Sequence, residues 1–262
     1  MDSLCSLDDT VDDLLLNENT HIAPDEIQSE INPDIYFKYN SVNLVIGKRG
    51  SGKTYTVGRE VLKLCLLPNC LYTQIFYITD KARDDTFERM MSLLHETGIQ
   101  VEWIQTKDAL KLIQTLTLAK SKIASQSWCD SHSDDAEVFR QCMNAKLSRL
   151  GMIPHTIIIF DDCIGLFKKD TQLSKKLFEN RQSRITYFLL LQDVQGLSAS
   201  MKANIDSLML FGGFPKSKWN ILTYQLPPVD FTFYDYTQLG NNDYVLIDFI
   251  DNSVIVKRRY EN

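Results

Sequence analysis

From Tyr39 onward, short apolar runs alternate with longer segments of mixed character. The short runs are strand-sized and rich in β-branched and aromatic residues, and they predict strands at Asn43–Ile46, Gln74–Thr79, Gln100–Ile104, Thr156–Phe160, Thr186–Leu191 and Ser207–Phe211. The mixed segments between them fit helices at Lys53–Leu66, Asp84–Glu96, Lys107–Lys122, Asp135–Leu150 and Thr171–Arg181. Strands alternating with helices predict an α/β fold, a mainly parallel central sheet with helices layered on it. The polar stretch Ser121–Asp135 reads as a loop or an insertion. Near the end, Tyr244–Phe249 and Ser253–Val256 flank Ile250-Asp251-Asn252, which predicts a C-terminal β-hairpin. There is no internal repeat. No apolar run approaches the roughly 18 residues that a membrane span needs.

Composition changes this picture mainly through charge. The chain has 262 residues, 44% of them hydrophobic, enough for one large α/β domain with a sizeable core. Its formal net charge of −6 is unevenly distributed. Residues 1–37 hold ten acids and no Lys or Arg, whereas residues 38–262 hold 24 acids and 28 bases, so the tail carries −10 and the body +4. Residues 1–37 therefore read as an acidic, flexible arm, and residues 38–262 as the folded domain. The cluster Val11, Leu14, Leu15 and Leu16 gives the arm a second reading, a short amphipathic segment that docks on a neighbouring subunit or another partner. Acidic residues stand where a signal peptide carries basic ones. The six cysteines form no CxxC pair and read as reduced thiols, and the four histidines form no metal-ligand spacing.

The chemistry begins at Gly47-Lys48-Arg49-Gly50-Ser51-Gly52-Lys53-Thr54, a complete GxxxxGK[ST] phosphate-binding loop after a predicted strand and at the start of a predicted helix. Glycines let backbone N–H groups close around phosphates, and the helix directs its positive end there. These eight residues are the expected ATP-binding loop. Within it Lys53 would neutralise the β- and γ-phosphates, and the Thr54 hydroxyl would ligate Mg2+. About a hundred residues on, the strand Thr156–Phe160 ends in Asp161-Asp162, the form of a Walker B motif. Asp161 would hold Mg2+ through its water shell, and Asp162 would polarise the attacking water. A third strand, Tyr187-Phe188-Leu189-Leu190-Leu191, ends in Gln192. If that strand lies between the other two, its amide would meet the γ-phosphate. Upstream, Asn180-Arg181-Gln182-Ser183-Arg184 offers two arginines at a helix end, either surface cations or an arginine finger.

The order GKRGSGKT, IIIFDD, NRQSRITYFLLLQ and KANIDSLMLF resembles the genome-packaging ATPases of large DNA viruses and virophages, the poxvirus-type branch of the FtsK–HerA superfamily of P-loop NTPases. The resemblance covers roughly residues 40–256, including the late NNDYVLID segment. It implies a three-layer P-loop NTPase fold of the additional-strand type and ATP hydrolysis with Mg2+. It also implies a homo-oligomeric ring that drives double-stranded DNA, without reading its sequence, into a preformed capsid. By the same resemblance the arm would meet a capsid or vertex protein. The protein would work in the host cell cytoplasm, at the viral factory or within the virion. Carried over by position, Arg181 matches the arginine that acts in a neighbour's site, with Arg184 as the substitute. Cellular relatives usually have Asp-Glu where this chain has Asp161-Asp162.

For DNA contact the sequence offers Lys168-Lys169 with Lys175-Lys176, then Lys216, Lys218 and Trp219, and finally Lys257-Arg258-Arg259. Clustered lysines without a recognition motif suit a motor that touches phosphates and not bases. Two other classes remain open at this point: a small-molecule P-loop kinase, for which no arginine-rich lid is evident, and a nucleotide switch without turnover.

Overall fold

The computed structural model describes residues 37–67, 70–81, 99–124, 155–169, 171–193, 197–225, 230–240 and 242–257, with isolated helical positions between Asp85 and His95. Strand β1 (Val42–Ile46) leads through the glycine loop into α1 (Lys53–Cys65), followed by β2 (Tyr72–Ile78) and β3 (Gln100–Ile104). A 3₁₀ turn at Thr106–Asp108 opens α2 (Ala109–Ala124), and β4 (His155–Asp161) precedes two short helices, α3 (Ile164–Lys169) and α4 (Thr171–Leu177). Then come β5 (Ile185–Leu191), α5 (Ala199–Ala203), β6 (Ser207–Phe211), α6 (Lys216–Gln225), α7 (Phe233–Thr237), β7 (Tyr244–Asp248) and β8 (Ser253–Lys257).

The strands form one eight-stranded sheet in the order β3-β2-β4-β5-β1-β6-β7-β8. From β3 to β6 every pairing is parallel, while β7 runs antiparallel to β6 and β8 antiparallel to β7. All residues of β4 and of β5 are buried, as a strand covered on both faces requires. Alternate residues such as Leu44, Phe76, Ile158 and Leu189 pack with Ile113, Leu116, Leu173 and Leu177 from α2 and α4. The intervening residues Val45, Ile75, Ile157 and Phe188 are equally buried, and α1 packs against β5 through its own buried row Val57, Val61 and Leu64. The α/β P-loop NTPase fold and the terminal hairpin are thus both present. In the hairpin turn, the Asp248 carboxylate accepts the N–H groups of Ile250 and Asp251, and Asn252 adopts a left-handed φ of 52°.

Several predicted boundaries shift. The helix expected over Thr171–Arg181 ends at Leu177, because Phe178, Glu179 and Asn180 each bond back three residues and tighten the chain. The Asn180 side chain then donates to the Asn40 carbonyl. Helix α2 runs through Ala124, so the predicted polar loop begins later than Ser121, and its remainder lies outside the described residues. The predicted helix at Asp135–Leu150 and the arm through residue 36 also lie outside them; in Asp84–Glu96 the described positions are helical. Phe37, at the arm's boundary, is buried edge-on against Phe188 with ring centroids 5.0 Å apart. The short helices α3, α5, α6 and α7 were not expected, being too short to show a helical period. Among the described residues no helix is long and apolar enough to cross a membrane.

At the amino-terminal edge of the sheet, buried polar groups tie neighbouring strands together. Lys120 donates to Thr156 Oγ1 at 2.8 Å and to the Arg184 carbonyl at 3.2 Å. His155, 5% exposed and set edge-on to Tyr39, begins β4 beside them. Burial first, and then the charges of Lys120 and Arg184, lower the His155 pKa from 6.5 to about 3. Native His155 therefore stays neutral where the unfolded chain takes up a proton, so its contribution is complete above pH 6.5 and is lost as pH falls toward 3. Between pH 7 and pH 5 this one group should remove about 2 kcal/mol of stability. Denaturant unfolding at both pH values should show a smaller loss for His155→Gln; equal losses in the two proteins would mean that His155 is not held neutral.

Candidate active site

The candidate phosphate-binding loop is built by what its glycines permit. Gly50 and Gly52 take left-handed φ values of 79° and 91°, which turn the chain back over the start of α1. Gly47 has its N–H bonded to the Leu191 carbonyl, and a Cβ there would lie 2.4 Å from Ser51 Oγ and 3.0 Å from Phe211 Cβ. The exposed residues Lys48, Arg49 and Gly50 form the rim. Lys53 is 8% exposed and turns its ammonium onto its own loop, at 2.7 Å from the Gly47 carbonyl and 3.0 Å from that of Lys48. Burial lowers its pKa, the charge of Asp161 opposes that shift, and the charge of Lys81 adds to it. Ser51 Oγ is buried in the loop with no hydrogen-bond partner.

Parallel pairing brings the carboxylates to this loop. In register, Ile46 of β1 faces Leu191 of β5, and Asp161 of β4 faces Leu190. The loop after β1, the carboxylates at the end of β4 and Gln192 after β5 therefore share one edge, with β5 in the middle. Asp161 is 5% exposed and fully engaged. Its Oδ2 accepts the Thr54 hydroxyl at 3.3 Å and the Tyr77 hydroxyl at 2.5 Å, and its carbonyl accepts the Thr79 hydroxyl at 3.1 Å. Asp162 lies in the left-handed region at φ 61°, an unusual conformation, and its side chain is 30% exposed. Gln192 Nε2 donates to Asp162 Oδ2 at 2.8 Å, so the amide positions this carboxylate.

Lys81, in the turn after β2, was not singled out from the sequence. Its ammonium lies 3.2 Å from Asp161 Oδ1 and 3.3 Å from Asp162 Oδ2. Partial burial pulls its pKa down, but the two carboxylates outweigh that and hold it above the ordinary lysine value. The signal that places it is sheet order: β2 pairs with β4, so the residues after Ile78 abut those after Phe160, an adjacency that sequence order does not reveal. A cleft of about 460 Å³ opens here, lined by Thr79, Asp80, Lys81, Thr106, Asp161 and Asp162.

The donor set fits Mg2+. The Thr54 hydroxyl and the Asp161 carboxylate converge at the mouth of the loop, the Lys81 ammonium lies against that carboxylate, and an orphaned hydroxyl, Ser51 Oγ, is buried beside Gly47.

Arg181 is not brought to this edge. It precedes β5, so it stands at the opposite end of the sheet, exposed, with Nη2 3.2 Å from Asp206 Oδ1. Arg184 sits at the same end with a left-handed φ of 53°. Of the basic residues considered for DNA contact, Lys176 pairs with Glu179 at 2.6 Å and Lys218 with Asp193 at 2.8 Å. Trp219 is 6% exposed and stacks on Tyr236 at 4.9 Å, which makes it a core residue and not a surface for stacking bases. Arg258 and Arg259 lie outside the described residues.

Neither a protein-family model nor a curated protein matches the chain. Solved structures do. B204, the DNA-packaging ATPase from Sulfolobus turreted icosahedral virus, aligns at a TM-score of 0.56 and 13% identity, over 86% of this chain and all of that one. The genome packaging NTPase B204 of Sulfolobus turreted icosahedral virus 2 in complex with ATP-gammaS aligns at 0.52 and 14% identity, over 84% of this chain and 97% of that one. EssC (ATPases 2 and 3) from Geobacillus thermodenitrificans aligns at 0.56 and 12% identity, over 83% and 39%. At these identities the likeness is one of fold, the α/β fold of the P-loop ATPases.

The crowding around Gly47 gives a direct test of the loop. In Gly47→Ala the new methyl must displace Ser51 or the β6 end, an overpacking cost of about 1–3 kcal/mol. Spent on loop geometry, that should weaken triphosphate binding about tenfold to a hundredfold. Titration with a fluorescent ATP analogue checks it, and unchanged affinity would show that the loop does not close on phosphates.

Proposed function

We propose that this chain is an ATP-hydrolysing, DNA-translocating motor that packages double-stranded viral DNA into a preformed capsid, working as a ring of identical subunits. The observation that carries the reading is the order β4-β5-β1, which gathers Lys53, Thr54, Asp161, Asp162 and Gln192 at one edge of the sheet. The fold shared with two viral genome-packaging enzymes, one of them in complex with an ATP analogue, supports the biological setting. That setting is the cytoplasm of an infected cell or the virion, with the acidic arm as a contact for a capsid or vertex protein.

In this reading the residues Gly47 to Thr54 wrap the phosphates, and Lys53 leaves its two loop carbonyls for the β- and γ-phosphate oxygens. Thr54 and Asp161 would hold Mg2+, which supplies positive charge to the phosphates when bound. Asp162 orients a water molecule, accepts its proton as the water oxygen bonds to the γ-phosphorus, and ADP leaves. Gln192 fixes Asp162 through its amide and can exchange that bond for a γ-phosphate oxygen. Arg181, at the far edge of the sheet, would serve a neighbouring subunit's nucleotide, with Arg184 as the alternative.

Steady-state ATP turnover with and without duplex DNA tests the whole reading. Stimulation by DNA of any sequence is expected. Phosphate transferred to an acceptor other than water would instead indicate a kinase, and binding without turnover a nucleotide switch. Asp162→Asn should bind ATP but lose turnover by about a hundredfold or more; a wild-type rate would assign the base to another residue.

The trans role of Arg181 has its own test. Arg181→Ala and Asp162→Asn should each be nearly inactive alone. Mixed under demonstrated subunit exchange, they should recover activity, because some interfaces then join an intact carboxylate to an intact arginine. Full activity in Arg181→Ala alone would leave Arg181 a surface cation.

A further inference from the structure

Lys81 has no part in the reading above, yet its ammonium bridges both carboxylates. Its main chain is tied to the strand end that bears them: Lys81 N–H donates to Thr79 Oγ1 at 3.2 Å, and the Thr79 hydroxyl donates to the Asp161 carbonyl at 3.1 Å. The side chain itself is 51% exposed, so it is anchored at the root and free to swing at the tip. The charges around it explain why a cation is needed. Asp161 and Asp162 place two negative charges at the mouth of a loop shaped for an anion. Lys53 is committed to the carbonyls of Gly47 and Lys48, which leaves Lys81, among the described residues, as the cation in contact with the carboxylates.

Resting on the assignment of this edge as a Mg2+-nucleotide site, we propose that Lys81 is a built-in counter-cation. It offsets Asp161 and Asp162 before the metal is in place, so that a triphosphate can enter, and it yields its carboxylate contacts to the divalent cation. Lys81 is thus a positioning residue that sets how strongly nucleotide binding depends on Mg2+. Without its charge the two carboxylates repel a metal-free triphosphate, while Mg2+ can still supply the missing compensation.

Binding of ATP-gammaS to the full chain, measured by calorimetry with Mg2+ and with EDTA, tests this. Lys81→Ala should lose affinity about tenfold in EDTA, as one unit charge a few ångströms away at a half-exposed site implies, and several-fold less with Mg2+. Lys81→Arg should keep the wild-type ratio of the two affinities. Adding Asp162→Ala to Lys81→Ala should return much of the metal-free affinity, because it removes the charge left uncompensated. Thermal unfolding midpoints confirm that each variant is folded. Equal losses in EDTA and Mg2+, or no rescue by the second substitution, would overturn the proposal while leaving the site assignment standing. Wild-type protein that binds no ATP-gammaS under either condition would overturn both.

Discussion

A parallel sheet buried on both faces leaves polar chemistry nowhere to go except its two ends. In β4 and β5 every residue is buried, so a charge in the middle of either strand would lack both solvent and a partner. The strands are accordingly uncharged until they emerge. There the chain changes character at once: Asp161 at the last position of β4 and Asp162 after it, Gln192 after β5, the glycine loop after β1 and Lys81 after β2. Parallel pairing makes all these exits coincide at one edge. The site is a consequence of strand direction and order, and no single segment contains it.

Charge balance is the second constraint. Two adjacent carboxylates are favourable near one another only when cations or donors meet them. Asp161 has a tyrosine, a threonine and Lys81 as partners, and Asp162 has Gln192 and Lys81. Lys53 is buried deeply enough that burial depresses its pKa, and it remains next to carbonyl oxygens that favour the charged form. Such a set is nearly neutral in total but strongly polar in detail, which suits the exchange of one set of charge partners for another as an anion enters.

Much of the fold was legible because burial writes itself into sequence. All eight strands were recognisable as apolar runs, and the two near the end as a hairpin around Asp251. The glycine loop and the paired aspartates were equally plain, since each depends on residues next to each other along the chain. What the sequence concealed depends on residues adjacent only in space. Lys81 stands 80 residues before Asp161 and meets it because β2 happens to flank β4. Tyr77 and Thr79 reach Asp161 for the same reason. Trp219 misled in the opposite direction: flanking lysines made it look exposed, whereas Phe231, Phe233 and Tyr236 enclose it. The helix at Thr171 ended early because Asn180 bonds to the loop before β1, a contact made across the sheet end.

The opposite edge carries a different logic. Arg181 precedes β5 and Gln192 follows it, so the seven residues of that strand separate them, a distance of roughly 20 Å at the usual rise per residue. An arginine side chain cannot cover that span, and within one chain the two edges cannot act on the same phosphate. Arg181 is nevertheless only lightly held. Its guanidinium is 72% exposed against Asp206, an arrangement worth about 0–1 kcal/mol. Asp206 is the more constrained partner, because its other oxygen accepts the Val42 N–H at 2.7 Å and pins the start of β1. Removing the arginine from this pair would leave the carboxylate with a structural bond intact and would cost the fold little. A cation fixed at its root, weakly paired and facing away from its own loop is available to another copy of the chain. In the proposed ring, chemistry that needs both edges of this sheet would fall to two subunits, each presenting to the other the end that its own loop lacks.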